Sequence, residues 1–212
     1  MRPMSADIQV YTGGPCMCNG YLVKCSEGYV AVDAPLGFAA WVSKKLPEGA
    51  KVTDLLITHQ HFDHVQDAAA LAETTGCRIH ACMPYSRELT LEELAARSWG
   101  GGMDVPPFRV DNAYGPACHK LNCAGNSWTV YHIPGHSPDG VTYELDGTEQ
   151  LFCGDILFAG AVGRTDFPGG SMASLIRGIR NQLLVLPHTC TVHSGHGPAT
   201  SLEEEMLNNP YL

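Results

Sequence analysis

The chain has 212 residues, 44% of them hydrophobic and 17% charged, enough to enclose one sizeable core. A formal net charge of −9, from 13 Lys and Arg against 22 Asp and Glu, argues against a nucleic-acid partner. No apolar run approaches the ~18 residues of a membrane span, and Met1–Asp7 lacks the apolar stretch of a secretory leader, so no membrane partner is expected.

In chain order, Tyr21-Leu22-Val23 and Tyr29-Val30-Ala31-Val32 read as paired strands around a turn at Ser26-Glu27-Gly28. The second ends at Asp33-Ala34-Pro35, where proline stops ladder pairing. A helix over Phe38–Leu46 and a strand over Leu55–Ile57 follow. A helix is then predicted from about Val65 to Thr75, stopping at Gly76. Arg78–Ala81 reads as a strand and Leu89–Arg97 as a helix. From Trp99 to Asn126 periodicity fails, punctuated by Gly100-Gly101-Gly102, Pro106-Pro107 and Gly115-Pro116, which predicts an irregular segment. Strands are predicted near Trp128–Tyr131, Val141–Glu144 and Leu151–Cys153. The helix Met172–Leu184 carries Met172, Leu175, Ile176, Ile179 and Leu183 on one face. Thr191–His193 and Leu202–Leu207 supply a last strand and a closing helix. No repeat or linker interrupts the pattern, so one domain over 1–212 is expected, of mixed α/β (α+β) class, with two sheets packed together and helices outside.

The nine cysteines are odd in number and scattered, which reads as reduced thiols in a cytoplasmic protein. Cys16 and Cys18, and the trio Cys118, His119 and Cys123, each resemble half of a zinc site lacking a second half at the usual spacing.

The chemistry concentrates in His59-Gln60-His61-Phe62-Asp63-His64, directly after an apolar strand and Thr58. Alternate residues of an extended segment share a face, so His59 and His61 can point together, and the following turn swings Asp63 and His64 to a neighbouring position. With ten His and eleven Asp in the chain, chance produces such a run on the order of once in a thousand chains. His136 in Pro-Gly-His-Ser-Pro, Asp155 after Phe-Cys-Gly and His196 in Ser-Gly-His-Gly-Pro stand at comparable strand ends. Five His and two Asp form an inventory suited to two borderline cations.

On these residues the sequence resembles the metallo-β-lactamase superfamily, and specifically its glyoxalase II-like branch. The matching positions are Thr58-His59-x-His61-x-Asp63-His64, His136, Asp155, His196 and Asp33, spread from about Val10 to Pro198. The resemblance implies an αββα sandwich of two mixed β-sheets flanked by helices, with metals at one sheet edge. It assigns His59, His61 and His136 to one metal, Asp63, His64 and His196 to a second, and Asp155 to a bridge. Zinc is the expected metal, with iron or manganese as alternatives. The implied reaction is cleavage of a thioester or ester, such as S-lactoylglutathione, by a metal-bound hydroxide, with Asp63 orienting the water. Asp33 and Thr58 are expected to orient the ligand loop. The bridging Asp155 separates this pattern from the true β-lactamases, and His61 separates it from flavodiiron proteins, which carry Glu there.

The loop Gly163-Arg164-Thr165-Asp166-Phe167-Pro168-Gly169-Gly170 resembles one in short glyoxalase II-like hydrolases and, in part, in persulfide dioxygenases. Arg164 either clamps a substrate carboxylate or pairs with Asp166 to shape the loop. The rival enzyme reading is a persulfide dioxygenase with one iron on His59, His136 and Asp155; Phe62 and the alanine-rich stretch Asp67–Leu71 look more like the hydrolases. A non-catalytic metal-binding protein is the alternative of another class. Three departures from the family pattern stand out. Sixteen residues follow His196, too few for the helical glutathione-holding domain of full-length glyoxalase II. Asp139 replaces the usual Gly after Pro138. The irregular segment has no family counterpart and is the expected substrate wall, with Arg109, Tyr114 and Lys120 as contacts.

Overall fold

Along strand β3 (Gly28–Val32), Val30 and Val32 turn to one core while Tyr29 and Ala31 turn to another, so this strand is buried on both faces. A strand of period 2 that is apolar on both sides must lie in a middle layer, which decides the architecture. The computed structural model describes residues 6–212 apart from Gly102; most of the amino-terminal segment read for a leader, and one glycine of the Gly100–Gly102 run, therefore lie outside the described residues.

The elements in order are β1 (Ile8–Gly13), β2 (Cys18–Cys25), β3, α1 (Phe38–Lys45), β4 (Val52–Leu56), α2 (Phe62–Val65), α3 (Ala68–Thr75), β5 (Arg78–Ala81), α4 (Arg87–Thr90), α5 (Glu92–Trp99), β6 (Asn112–Ala113) and β7 (Lys120–Cys123). There follow β8 (Asn126–His132), β9 (Val141–Leu145), β10 (Gln150–Gly154), β11 (Leu157–Phe158), β12 (Ala161–Val162), α6 (Met172–Gly178), a π-helical turn Ile179–Leu183, β13 (Thr191–Ser194), β14 (Thr200–Ser201) and α7 (Leu202–Asn208). One six-stranded sheet runs β1-β2-β3-β4-β5-β6, antiparallel to β3 and parallel beyond it. The other runs β14-β13-β10-β9-β8-β7, with β10 and β13 parallel.

The sheets meet over Val30, Val32, Leu56, Trp128, Val130, Tyr143 and Phe152. Phe38, Val42 and Leu71 from α1 and α3 cover the outer face of the first sheet against Ala31, Leu55 and Ile57. Leu175 of α6, Ile179 and Leu183 of the π turn and Leu202 of α7 cover the second against Leu151, Cys153 and Val192. This is the expected αββα sandwich of two mixed sheets, of α/β class.

The structure revises several predicted boundaries. The helix read from Val65 to Thr75 is two, α2 and α3, interrupted at Gln66-Asp67; the Asp67 carboxylate accepts from the Ala39 amide and ties the break to α1. The helix read over Leu89–Arg97 is also two, because Leu91 adopts φ 54. The left-handed region costs a branched L-residue on the order of 1 kcal/mol, so tertiary contacts must hold Leu91 there. The Trp99–Asn126 segment is not wholly irregular: β6 adds an edge to the first sheet, and β7 makes a hairpin with β8 through Ala124 and Gly125, both at positive φ. Strand β1 and the short strands β11, β12 and β14 escaped the sequence reading, being either broken in pattern or only two residues long.

Candidate metal centre

The chain delivers polar side chains to one edge of the sandwich because five segments end there. Asp33 follows β3, Thr58 to His64 follow β4, His136 lies in the β8–β9 connection, Asp155 follows β10 and His196 follows β13. Carboxyl ends of neighbouring strands form a crevice that suits ligands in α/β sheets. Gln60 turns away from its two histidine neighbours: its side chain donates to the Met83 and Pro84 carbonyls, and its amide donates to Asp139 Oδ2 at 3.1 Å. Asp139, the departure noted beside His136, thus braces the ligand loop from behind and also accepts from the Ser137 hydroxyl.

All seven residues singled out in the sequence converge. His61 Nδ1 lies 3.1 Å from His59 Nε2 and 2.8 Å from His136 Nε2, so three nitrogens face one point. A second group gathers the carboxylate of Asp63 and the rings of His64 and His196, with His196 Nε2 3.2 Å from Asp63 Oδ2. Asp155 stands between them: Oδ1 is 3.3 Å from His64 Nε2, while Oδ2 is 3.5 Å from both His136 Nε2 and His196 Nε2.

The outward nitrogens are tied down, which aims the inward ones. His64 Nδ1–H donates to Asp33 Oδ2 at 2.8 Å, His136 Nδ1–H to the Arg164 carbonyl at 2.7 Å and His196 Nδ1–H to the Cys16 carbonyl at 3.1 Å. Asp33 also accepts from the Thr58 amide at 2.8 Å and the Thr58 hydroxyl at 2.7 Å; that hydroxyl in turn lies 3.2 Å from His59 Nδ1. One buried carboxylate therefore orients a histidine in each group, directly or through Thr58.

Burial, and next the charges of neighbouring histidines, hold His59 well below the ordinary imidazole value; burial and His136 bring His61 to about 3. Burial by itself raises the carboxyls of Asp63 and Asp155, but the facing histidines outweigh it and hold both below the usual carboxylate range. Burial by itself lowers His64 and His196, but the acidic groups facing them outweigh it and hold both above the ordinary imidazole value, so in these two rings a proton competes with a cation. The neutral rings of His59 and His61 beside ionised carboxylates are donors that suit a cation. Two further atoms fit the same reading: His64 Nε2 and Asp155 Oδ1 are buried without a hydrogen-bond partner, which costs roughly 1–3 kcal/mol each unless a cation is bound between them.

Space around the donors is also built for them. A Cβ on Gly195 would stand 2.2 Å from Asp155 Oδ1 and 2.6 Å from His64 Cε1, and one on Gly163 would stand 1.9 Å from the Asp155 carbonyl oxygen. At the centre opens a cavity of about 660 Å³, lined by Leu91, Leu94, Ala95 and Ser98 and by Arg164, Asp166 and Phe167. Arg164 donates through Nε and Nη2 to both Asp166 oxygens, at 2.7 and 2.6 Å, and its guanidinium sits 4.2 Å from the Phe167 ring centroid.

Arg109, Tyr114 and Lys120 do not reach this cavity. Arg109 pairs with Asp111, Lys120 with Asp146, and the Tyr114 hydroxyl bonds Tyr143 between the sheets. Lining comes instead from Leu91 and from Leu94, Ala95 and Ser98 of α5, a stretch that the sequence marked only as part of a helix. The Cys118-His119-Cys123 trio is not a site either: Cys123 joins Asp54 and His80, while Cys118 bonds the Lys120 carbonyl. Asp54 and His80 were missed because they sit mid-strand among apolar residues with no motif around them. Cys18 proves to belong beside the centre, within 4.8 Å of donor atoms of Asp63, His64 and His196, and Cys16 lines the cavity.

The sequence pattern of the metallo-β-lactamase superfamily matches residues 13–196. The chain belongs to that superfamily. Its relatives are of the glyoxalase II-like kind: hydroxyacylglutathione hydrolase GloC of Haemophilus influenzae is 32% identical over 92% of this chain and 92% of its own. Two solved structures share the whole superfamily domain. TTHA1623, crystallised in a di-iron-bound form, has a TM-score of 0.81 at 36% identity, covering 96% of this chain and 100% of its own. BLEG-1 B3 metallo-β-lactamase has a TM-score of 0.85 at 28% identity, covering 97% and 99%. Members of this superfamily typically bind metal ions, and the histidine and aspartate clusters of this metallo-hydrolase relative are of that type.

Proposed function

We propose that the protein is a metal-dependent hydrolase cleaving a small-molecule thioester or ester at a centre for two divalent ions. His59, His61 and His136 would hold one ion and Asp63, His64 and His196 the other. The observation that carries this reading is Asp155, whose carboxylate lies within 3.5 Å of ring nitrogens from both groups of donors, His136 in one and His64 and His196 in the other. All seven residues stand at one edge of one pair of sheets, which supports a single catalytic domain.

Bound there, such ions supply Lewis acidity, polarising a carbonyl and bringing the ionisation of water towards neutral pH. Asp63, buried yet at the cavity floor, is an ionised acceptor able to orient the attacking water. Asp33 and Thr58 keep His64 and His59 in the tautomers that present Nε2 inward. Arg164 and its carboxylate partner shape one side of the mouth. A thiolate leaving group needs no dedicated acid. Nitrogen and carboxylate donors together suit zinc, and also iron, which the TTHA1623 crystal carries. The name of the Haemophilus relative supports a glutathione-derived thioester as a first substrate to try. Nine free thiols support a reducing, cytoplasmic setting. No helix among the described residues is long and apolar enough to cross a membrane.

The persulfide dioxygenase reading uses His59, His136 and Asp155 alone and assigns no ligand role to Asp63, His64 and His196, whose donor atoms gather in one group. Metal analysis paired with two assays decides between them. Two ions per chain and hydrolysis of S-lactoylglutathione or another thioester support the proposal. One iron per chain with oxygen uptake on glutathione persulfide supports the rival. Failure of both assays, or an Asp63→Ala variant as active as the parent, refutes the mechanism.

A further inference from the structure

The cavity above the centre is chemically lopsided. Among the described residues, Arg164 is the only Lys or Arg that lines it, and both of its hydrogen-bonding edges in use are taken by Asp166. The thiol arm of a glutathione thioester carries two carboxylates and an ammonium group, and for those two carboxylates the described lining offers one guanidinium, already paired with Asp166. The lining also has an apolar part. Leu91, Leu94 and Ala95 face the site from α5 and its start, with Phe62 at the base. Leu94 is 39% exposed although it is a large apolar side chain, and Leu91 holds φ 54, a conformation that favours glycine. Leu91 thus carries the backbone cost of that conformation while its side chain adds apolar surface to the cavity lining.

Resting on the hydrolase reading above, we propose that the substrate is an uncharged thioester or ester whose acyl chain is apolar and lies along Leu91, Leu94 and Ala95. Its leaving arm is short and polar and faces the Arg164–Asp166 pair. Water gives its hydroxyl to the acyl carbon, the carbon–sulfur or carbon–oxygen bond breaks, and the remaining proton ends on the departing thiolate or alkoxide. No redox change accompanies the step.

The test uses the zinc-loaded protein and S-acyl-N-acetylcysteamine thioesters from acetyl to octanoyl, beside S-lactoylglutathione. We expect kcat/KM to rise about two- to fourfold per methylene as the chain is removed from water. The hexanoyl thioester should exceed S-lactoylglutathione at least tenfold. Leu94→Glu, at a half-exposed position that tolerates charge, should flatten this slope with the metal content retained. A parallel titration with uncleavable S-alkyl-N-acetylcysteamine thioethers reads binding alone, and affinity should rise with the same slope. Preference for S-lactoylglutathione, or a rate independent of chain length, overturns the apolar-chain inference and leaves the hydrolase reading intact. Absence of any hydrolysis overturns the hydrolase reading, and the thioether titration then decides the apolar wall: affinity independent of chain length refutes it.

Discussion

Asp33→Asn isolates the element that joins the two halves of the centre. The Asp33 side chain accepts three hydrogen bonds at 2.7–2.8 Å, from the Thr58 amide, the Thr58 hydroxyl and His64 Nδ1. It is a non-glycine residue at φ 55, and asparagine tolerates that conformation, so the substitution changes charge and donor pattern without forcing the backbone. The amide keeps Oδ1 for the Thr58 amide but places an NH₂ group where Oδ2 received the other two protons. Hydrogen bonds to a charged acceptor contribute about 1.5–3 kcal/mol each, and the Thr58 hydroxyl can rotate to recover part of one. The net loss is therefore about 2–4 kcal/mol, read as a fall in the unfolding free energy of the metal-free protein in urea at pH 7. His64 would also shift its proton to Nε2, which turns a lone pair inside the centre into a donor. Affinity for the second zinc should fall about 10- to 100-fold in chelator competition, as for other groups that orient a ligand from behind. A variant within 0.5 kcal/mol of the parent, binding its second ion within threefold of parental affinity, would show that Asp33 does not orient His64.

Gly195→Ala places a methyl group against Asp155 and His64 at a position with no backbone strain, so the fold should survive by circular dichroism while affinity for zinc falls at least tenfold. Asp54 supplies a pH dependence away from the centre. Burial raises its carboxyl, but hydrogen bonds from His80 and the Thr53 hydroxyl, with the charge of Arg78, overcome this and bring it to about 2 from 3.8. Its contribution of about 2 kcal/mol is present above pH 4 and is lost as pH falls through 2; Asp54→Asn should remove that acid limb from the stability profile, and an unchanged limb refutes the assignment. Leu91→Gly relieves the left-handed strain yet deletes part of the apolar wall. Stability should move by less than about 1 kcal/mol, while kcat/KM for a hexanoyl thioester falls fivefold or more.

How much was legible in the chain depends on the range over which each feature is encoded. Strand propensity is local: the apolar run Tyr29 to Val32 is legible as a strand, but its place in a middle layer follows only from the two cores it touches. The donors of His59–His64 lie within six residues after an apolar strand, so their grouping needs no knowledge of the rest of the fold. Family resemblance extended this to His136, Asp155 and His196, which propensity by itself leaves as turn residues. What only the tertiary structure decided is non-local. Asp155 faces both groups because β10 pairs with β13 on one side and β9 on the other, and register over such separations cannot be read from any window of sequence. Leu91 breaks a helix that Arg87 to Trp99 would favour, because contacts elsewhere outweigh a local cost of about 1 kcal/mol. Leu91 and α5, and not the segment carrying Arg109, Tyr114 and Lys120, line the cavity. The sequence by itself determined which candidate donors group together; the assembled sheets and the break at Leu91 decided what stands beside them, since a cavity wall is made of surfaces that meet only after folding.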